Sequence, residues 1–179
     1  DYRSFIFDRV IPKWMDCGVS GWRLDVADEL NEGFLNGLRT AVKAKNPDGA
    51  VIGEVWEDAS DKVSYSQRRH YLRGHQLDSV MNYPFRTAIL NFMRGFDSGR
   101  GFRDAVMSIA ENYPQDVVLC NMNLLGTHDT PRILTALIDD FDGSREEKSK
   151  RHLSRNQYAT AQERLLLEKR FIERLGQRE

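Results

Sequence analysis

Three apolar stretches of the chain end in acidic residues, and the first of them also carries an arginine. Arg23 and Asp25 end the run Gly-Trp-Arg-Leu-Asp, Glu54 follows Val-Ile-Gly, and His128 and Asp129 follow Leu-Gly-Thr. Residues two positions apart on a strand face the same side, so Arg23 and Asp25 project together. Because buried charge is costly unless it is paired, this pair is either a structural ion pair or part of a functional site.

Paired carboxyl groups at strand ends suit glycoside hydrolysis. That reaction needs two carboxyls flanking the bond, one as nucleophile or base and the other as acid. Three acids with an arginine and a histidine, from three separate strands, form such a constellation. The competing interpretation is a metal site, because one histidine with several acids could hold Mg²⁺ or Mn²⁺. The sequence lacks the close ligand spacing of a dedicated metal motif, which favours the carboxyl chemistry.

The segments that must position these residues alternate between strand and helix patterns. The predicted strands lie at 19–26, 50–56, 77–81 and 117–125, and the predicted helices at 4–16, 30–45, 84–96, 102–112 and 131–138. Residues 57–76 are polar and predict a long loop. The alternation predicts parallel βα units, as in a doubly wound sheet or a β/α barrel. In both architectures, groups at the carboxyl ends of the strands gather at one crevice.

Composition narrows the classes of partner. Lys and Arg number 26 against 27 Asp and Glu, a formal net charge of −1, so neither nucleic acid nor a membrane surface is indicated as a partner. No apolar run is long enough to span a membrane. Residues 1–14 lack a signal-peptide layout, which favours a cytoplasmic location over secretion, while the missing initiator Met is consistent with an internal piece. Cys17 and Cys120 are too few for a disulfide framework, and we expect both to be buried.

Three ordered motifs resemble a known family. GWRLDVADEL, VIGEVW and NLLGTHDTPRIL are similar to the second, third and fourth conserved regions of the α-amylase family of glycoside hydrolases. The residues of these motifs are most similar to those of its neopullulanase, cyclomaltodextrinase and maltogenic-amylase subgroup. The run DSVMNYPF at 78–85 is also similar to that subgroup. The resemblance covers about 10–140. It implies that 1–179 is a partial catalytic domain, about strands four to seven of a (β/α)8 TIM barrel with their helices, and that 143–179 forms a charged loop and terminal helix.

The resemblance also assigns roles to the polar residues. It implies that Asp25 is the nucleophile, that Glu54 is the general acid and then the base, and that Asp129 is the third carboxylate, which holds sugar hydroxyls. Arg23 orients Asp25, and His128 bonds the sugar at the cleavage point. The remaining residues expected to bind substrate are Trp56, Asn82 and Tyr83.

The departures from the family pattern limit what this chain can do alone. The first conserved region, the first three strands and the signature of the eighth strand are absent. We therefore expect the isolated chain to be weakly active or inactive, and its full-length parent to be a retaining hydrolase of maltodextrins, cyclodextrins or pullulan. A Ca²⁺ ion and a homodimer are possible in that parent. The alternatives are a transglycosylase or sugar isomerase on the same triad, or a non-catalytic amylase-like interaction module, which usually loses catalytic acids that are all retained here.

Overall fold

A computed structural model of the chain describes residues 1–138 together with Leu166, Lys169, Ile172 and Glu173. The chain divides into two compact units. The first unit comprises Asp1–Phe85 and Ala105–Asn123, and the second comprises Arg86–Asp104 and Leu124–Glu179. Apart from those four residues, the predicted loop and terminal helix at 143–179 lie outside the described residues.

The described part of the chain follows the predicted alternation of strands and helices. The strands are β1 (Gly21–Leu24), β2 (Ala50–Gly53), β3 (Val63–Ser64), β4 (Gln67–Arg68) and β5 (Ser79–Val80). The helices are α1 (Tyr2–Phe5), α2 (Ile11–Asp16), α3 (Glu32–Lys45), α4 (Tyr83–Arg94), α5 (Gly99–Asn112), α6 (Gln115–Cys120) and α7 (Ile133–Ile138). A π-helical turn, Ile6–Val10, joins α1 to α2, and a 3-10 turn, Ala27–Glu29, follows β1.

The first unit is built on a parallel sheet in the order β1-β2-β5. In its register Leu24 lies opposite Gly53, and Gly53 lies opposite Val80. The predicted strands at 19–26, 50–56 and 77–81 are therefore confirmed, in shorter form. The predicted loop at 57–76 contains the small antiparallel hairpin of β3 and β4.

The helix α3 illustrates how the sequence sets the limits of these elements. The Asn31 side chain accepts a hydrogen bond of 2.9 Å from the Phe34 N–H, which satisfies a free donor at the helix start. Leu35, Leu38 and Val42 recur at helical spacing and are buried, so one face of the helix enters the core.

The predicted strand at 117–125 is wrong. Its first half lies in α6, which begins after Pro114, and only Met122 makes a parallel bridge, to Met81. A short apolar run such as Val-Val-Leu fits a buried helix as well as a strand. The helix wins here because Pro114 supplies a start signal and Val117 is buried in the core.

One hydrophobic core holds the first unit together. From the sheet it takes Leu24, Val51 and Val80, which the register places on one face. The helices and loops beside that face complete the core, and its fully buried members include Ile11, Leu35, Val42, Val51, Val55, Tyr71 and Val80. The expectation of buried cysteines is wrong, because Cys17 and Cys120 are both exposed free thiols. Within the described residues, no helix has the length and apolar character to cross a membrane.

Candidate active site

The parallel register ends in one level row of residues, made by Leu24, Gly53 and Val80. The next residue along each strand is Asp25, Glu54 or Met81. Backbone bonds hold this level, because the Glu54 N–H donates to the Leu24 carbonyl (3.0 Å) and the Met81 N–H donates to the Gly53 carbonyl (3.0 Å). The carboxyl ends of these parallel strands therefore present their side chains together, as at the upper face of a β/α barrel.

The Arg23 guanidinium joins the three residues that follow this row. Its Nη1 lies 2.5 Å from Asp25 Oδ1, its Nη2 lies 3.1 Å from Glu54 Oε2, and its Nε donates to Met81 Sδ at 3.4 Å. A guanidinium is permanently charged, so one cation hydrogen-bonds Asp25 and lies at ion-pair distance from Glu54. The Arg23–Asp25 pair predicted from the sequence is confirmed, and Glu54 is a second partner of the same arginine.

The two carboxyl groups differ sharply in exposure. The Asp25 side chain is 75% exposed, whereas Glu54 is only 4% exposed. Glu54 Oε2 also accepts a hydrogen bond of 2.8 Å from the Val26 N–H, and Oε1 accepts one of 3.2 Å from the Trp56 indole N–H. Asp25 is thus open to an incoming molecule, and Glu54 is held in place by three separate groups.

The Trp56 side chain lies between Glu54 and Tyr83. Its ring stacks on the Tyr83 ring with the centroids 4.2 Å apart and the planes 9° apart, and Trp56 remains 46% exposed. Its indole is thus a partly exposed hydrogen-bond partner of the buried Glu54 carboxyl group. Tyr83 itself is buried.

Asn82 is buried and makes contacts within the first unit. Its side-chain N–H donates to Asn123 Oδ1 at 2.9 Å, and its Oδ1 accepts from the Phe85 N–H at 3.3 Å. These bonds link the end of β5 to the start of α4 and to the segment after α6. The amide of Asn82 therefore supports the level at which the strand ends.

The turn after Asp25 has an unusual backbone. Val26 adopts φ 41° and ψ 64°, the left-handed region, which costs a β-branched residue about 1–3 kcal/mol. The Val26 N–H binds the Glu54 carboxylate, and the Ala27 N–H donates to the Glu54 carbonyl at 3.1 Å. Such a conformation persists only where its surroundings enforce it, and Glu54 is part of what enforces it.

His128 and Asp129 lie in the second unit and form a local arrangement there. His128 Nε2 is 3.1 Å from Asp129 Oδ2, and both side chains are solvent-accessible. The loop is closed by threonines, since the Thr127 N–H donates to Thr130 Oγ1 at 2.8 Å and the Asp129 N–H donates to Thr127 Oγ1 at 3.2 Å. The motif thus presents an imidazole and a carboxylate side by side from one ordered turn.

No group of three or more His, Cys, Asp or Glu side chains suited to a metal ion occurs within the described residues. The Glu54 carboxylate, for example, lies against arginine, backbone and indole donors. The Ca²⁺ ion that the family resemblance allows in a longer protein stays a prediction.

Comparison with known proteins decides the family. The model of the alpha-amylase catalytic domain matches residues 2–160. The chain belongs to the α-amylase catalytic-domain family. It is 45% identical over 137 residues to a cyclomaltodextrinase of Geobacillus thermopakistaniensis, covering 75% of this chain and 22% of that protein. It is 39% identical over 137 residues to neopullulanase 2 of Thermoactinomyces vulgaris, covering 76% of this chain and 22% of that protein.

Solved structures agree with the α-amylase assignment. The cyclic α-maltosyl-(1→6)-maltose hydrolase of Arthrobacter globiformis superposes with a TM-score of 0.68 at 33% identity, over 75% of this chain and 29% of that one. The fold is therefore part of the (β/α)8 barrel of the α-amylase family, as predicted. The chain spans about a fifth of the length of the curated relatives it matches, since the shares are 22% and 22%.

Several contacts of this α-amylase-type site escaped the sequence reasoning. Met81 contacts Arg23, and the Val26 N–H binds Glu54. Neither a methionine nor a valine suggests such a role from its residue type. Arg69 is buried beneath the turn that carries Val26. The sequence carries no distinct signal for Arg69, because 57–76 predicts a loop rather than a regular element.

Proposed function

We propose that the protein carrying this chain hydrolyses α-glucosidic bonds in maltodextrins, cyclodextrins or pullulan with retention of configuration. The observation that carries the proposal is the Arg23 guanidinium, which holds an exposed and a buried carboxyl group at adjacent strand ends. A retaining glycosidase needs two such carboxyls close together. The printed names of the relatives, cyclomaltodextrinase and neopullulanase, support this class of substrate.

The proposed first step forms a glycosyl-enzyme. In this step Glu54 reacts in its protonated form: an Asp25 carboxylate oxygen attacks the anomeric carbon, the glycosidic C–O bond breaks, and Glu54 donates that proton to the departing oxygen. Asp25 suits the attack because its side chain is 75% exposed and oriented by Arg23. We assign Asp129 to the sugar hydroxyls as the third carboxylate, and His128 to the sugar at the cleavage point.

The proposed second step returns both carboxyls to their starting state. Glu54, now ionised, takes a proton from water, the water oxygen bonds to the anomeric carbon, and the Asp25 ester bond breaks. Trp56 is the group next to Glu54 that an arriving sugar or water meets, since it is bonded to Oε1 and partly exposed. We place Trp56, with Asn82 and Tyr83 behind it, at the wall of the substrate cleft.

We further propose that the 179-residue chain by itself is weakly active or inactive. It spans 22% of the length of the curated relatives, and among the described residues β1 is paired on one side only. A barrel site draws residues from several strands, so a partial barrel supplies a partial site.

The test measures release of reducing ends from maltodextrin, cyclodextrin and pullulan by the protein that carries this chain, with its flanking sequence. We expect Asp25→Asn to abolish turnover and Glu54→Gln to lower it about 10²–10⁴-fold. Glucosyl fluoride separates the two roles, because fluoride leaves without a proton. The Glu54→Gln variant should therefore recover its first step on this substrate, and Asp25→Asn should not.

Asp61→Asn is the matched control, because Asp61 is an exposed carboxylate that pairs with Arg68 on the hairpin. It should leave turnover unchanged. Proton NMR of the first product should show the α-anomer, and a β-anomer would refute the retaining mechanism. Products longer than the substrate from maltotriose would favour transglycosylation on the same residues. Absence of turnover on all three glucans would instead favour a non-catalytic module.

A further inference from the structure

The turn between Val26 and Leu30 connects the two carboxyl residues. It begins directly after Asp25, and its first two N–H groups bind Glu54, one at the carboxylate (2.8 Å) and one at the backbone carbonyl (3.1 Å). The position of Glu54 relative to Asp25 thus depends on the shape of five backbone residues. Since Val26 is in a strained left-handed conformation, the turn needs further contacts to keep this shape.

The Arg69 guanidinium supplies those contacts from the opposite side of the turn. Arg69 is 5% exposed, and its Nη2 donates to the carbonyls of Ala27 (3.2 Å), Asp28 (3.1 Å) and Leu30. Its Nε donates to the Tyr71 hydroxyl at 2.8 Å. A single cation therefore binds three carbonyl groups of this turn. The first two N–H groups of the same turn bind Glu54.

The arginine is itself held by a partly buried network of hydrogen bonds and an ion pair. The Tyr71 hydroxyl donates to Asp28 Oδ1 at 2.5 Å, and Lys62 Nζ lies 3.1 Å from Asp28 Oδ2. Burial, together with the bond to Asp28, raises the pKa of Tyr71, so its hydroxyl keeps the proton that it donates. Because Tyr71 is fully buried, Arg69 has little freedom to move away from the turn.

We propose that Arg69 is a positioning residue, which sets the place of Glu54 relative to Asp25 by holding the turn at 26–30. Its effect on catalysis rests on the proposed glycosidase function, whereas its effect on the turn does not. Within the part of the chain that the structure describes, Arg69 reaches Glu54 through the turn, since it bonds to three carbonyls there and to Tyr71. A merely structural arginine would stabilise the whole unit evenly, and a positioning arginine protects this turn in particular.

The first experiment measures amide hydrogen exchange, resolved to single residues by mass spectrometry, in the protein that carries this chain. In Arg69→Met, exchange at Val26 and Ala27 should rise at least about 10-fold, the effect of losing a charge-assisted hydrogen bond. Exchange at Leu38 and Val42, in the core face of α3, should change less than about 2-fold because local opening is confined to the turn. Unchanged exchange at Val26 and Ala27 would overturn the proposal.

Neighbouring and milder variants keep this experiment decisive. Arg68→Met removes the adjacent arginine, which is exposed and paired with Asp61, and should leave exchange at Val26 unchanged. If Arg69→Met fails to fold, Arg69→Lys keeps the charge and loses the guanidinium that reaches the three carbonyls of the turn. It should raise exchange at Val26 in the same direction, by about 2- to 10-fold, and no rise in that variant would overturn the proposal.

The second experiment measures kcat and KM for maltodextrin with the protein that carries this chain. Arg69→Met should lower kcat about 10- to 100-fold, as expected for a small misplacement of a reacting group, with KM changed less than about 3-fold. Arg69→Lys should recover part of the loss, and Arg68→Met should match the wild type. Faster exchange with unchanged kcat in an active protein would overturn the positioning role. A wild-type protein without glycosidase activity would overturn the proposed function, and the exchange result would then decide the role of Arg69 by itself.

Discussion

Replacing Arg23 by methionine tests how much each of its two carboxylate partners contributes to the free energy of unfolding. Asp25 is 75% exposed, and exposed ion pairs contribute about 0–1 kcal/mol. Glu54 is 4% exposed, so loss of its cation leaves a buried carboxylate. The Val26 and Trp56 N–H groups still bind that carboxylate. The loss in free energy of unfolding should therefore be smaller than for a fully broken buried pair, which costs about 3–5 kcal/mol.

We therefore expect Arg23→Met to lower the free energy of unfolding by about 2–3 kcal/mol, nearly all of it through Glu54. The assay is urea unfolding of the 179-residue chain in two double-mutant cycles, with Glu54→Gln and with Asp25→Asn. The coupling energy should be about 1.5–3 kcal/mol for Glu54 and about 0–1 kcal/mol for Asp25. A larger coupling to Asp25 than to Glu54 would refute the reasoning from exposure.

Three further predictions concern pH and packing. Burial alone would raise the pKa of Asp78, but hydrogen bonds, led by the one from Arg39, outweigh it and lower the pKa. Asp78→Asn should therefore lose stability above about pH 4. In urea unfolding it should also flatten the acid limb, the fall in the free energy of unfolding as the pH is lowered. Burial raises the pKa of Tyr113 to about 12, so its stabilisation should hold below about pH 10 and fall as the pH approaches 12, and Tyr113→Phe should remove that fall in urea unfolding measured between pH 9 and 12. A Cβ at Gly21 would lie 2.8 Å from the Ala50 carbonyl oxygen, so Gly21→Ala should cost about 1–3 kcal/mol in thermal or urea unfolding.

Each of these predictions has a control of the same residue type. Asp16 is exposed and pairs with Lys45, so Asp16→Asn should leave the acid limb intact. Tyr2 is 69% exposed, and Tyr2→Phe should not alter the alkaline limb. A Cβ at Gly99 would have its nearest neighbour 4.0 Å away, so Gly99→Ala should be tolerated. Equal effects of a variant and its control would contradict the corresponding prediction.

The sequence predicted the placement of Arg23, Asp25 and Glu54 because each step rested on local and regular geometry. Period-2 spacing puts Arg23 and Asp25 on one side of a strand, and parallel strands end at one edge of the sheet. Both rules depend only on the order of apolar and polar residues. The observed register, with Leu24 opposite Gly53, then brings Asp25 and Glu54 to the same level.

The details that the sequence could not predict depend on contacts between distant segments. Nothing in the residue type of Val26 suggests a left-handed backbone; that conformation is held by Glu54 and by Arg69, which are far away along the chain. The helix α6 is a second case, since Val117 carries strand propensity that core packing and the preceding Pro114 override. Local sequence patterns predict most of the helices and strands, and contacts between distant segments decide the others, such as α6.

The level row at Leu24, Gly53 and Val80 has a consequence for how such a protein can evolve. The ladder hydrogen bonds use backbone atoms, and the side chains of Asp25, Glu54 and Met81 come one position after the last registered pair. Of these three side chains only Asp25 is exposed, whereas Glu54 and Met81 are buried. A substitution at Asp25 therefore changes what faces the solvent while every strand keeps its backbone partners. Related proteins that share this sheet can therefore gain or lose chemistry at such a position while keeping the same fold.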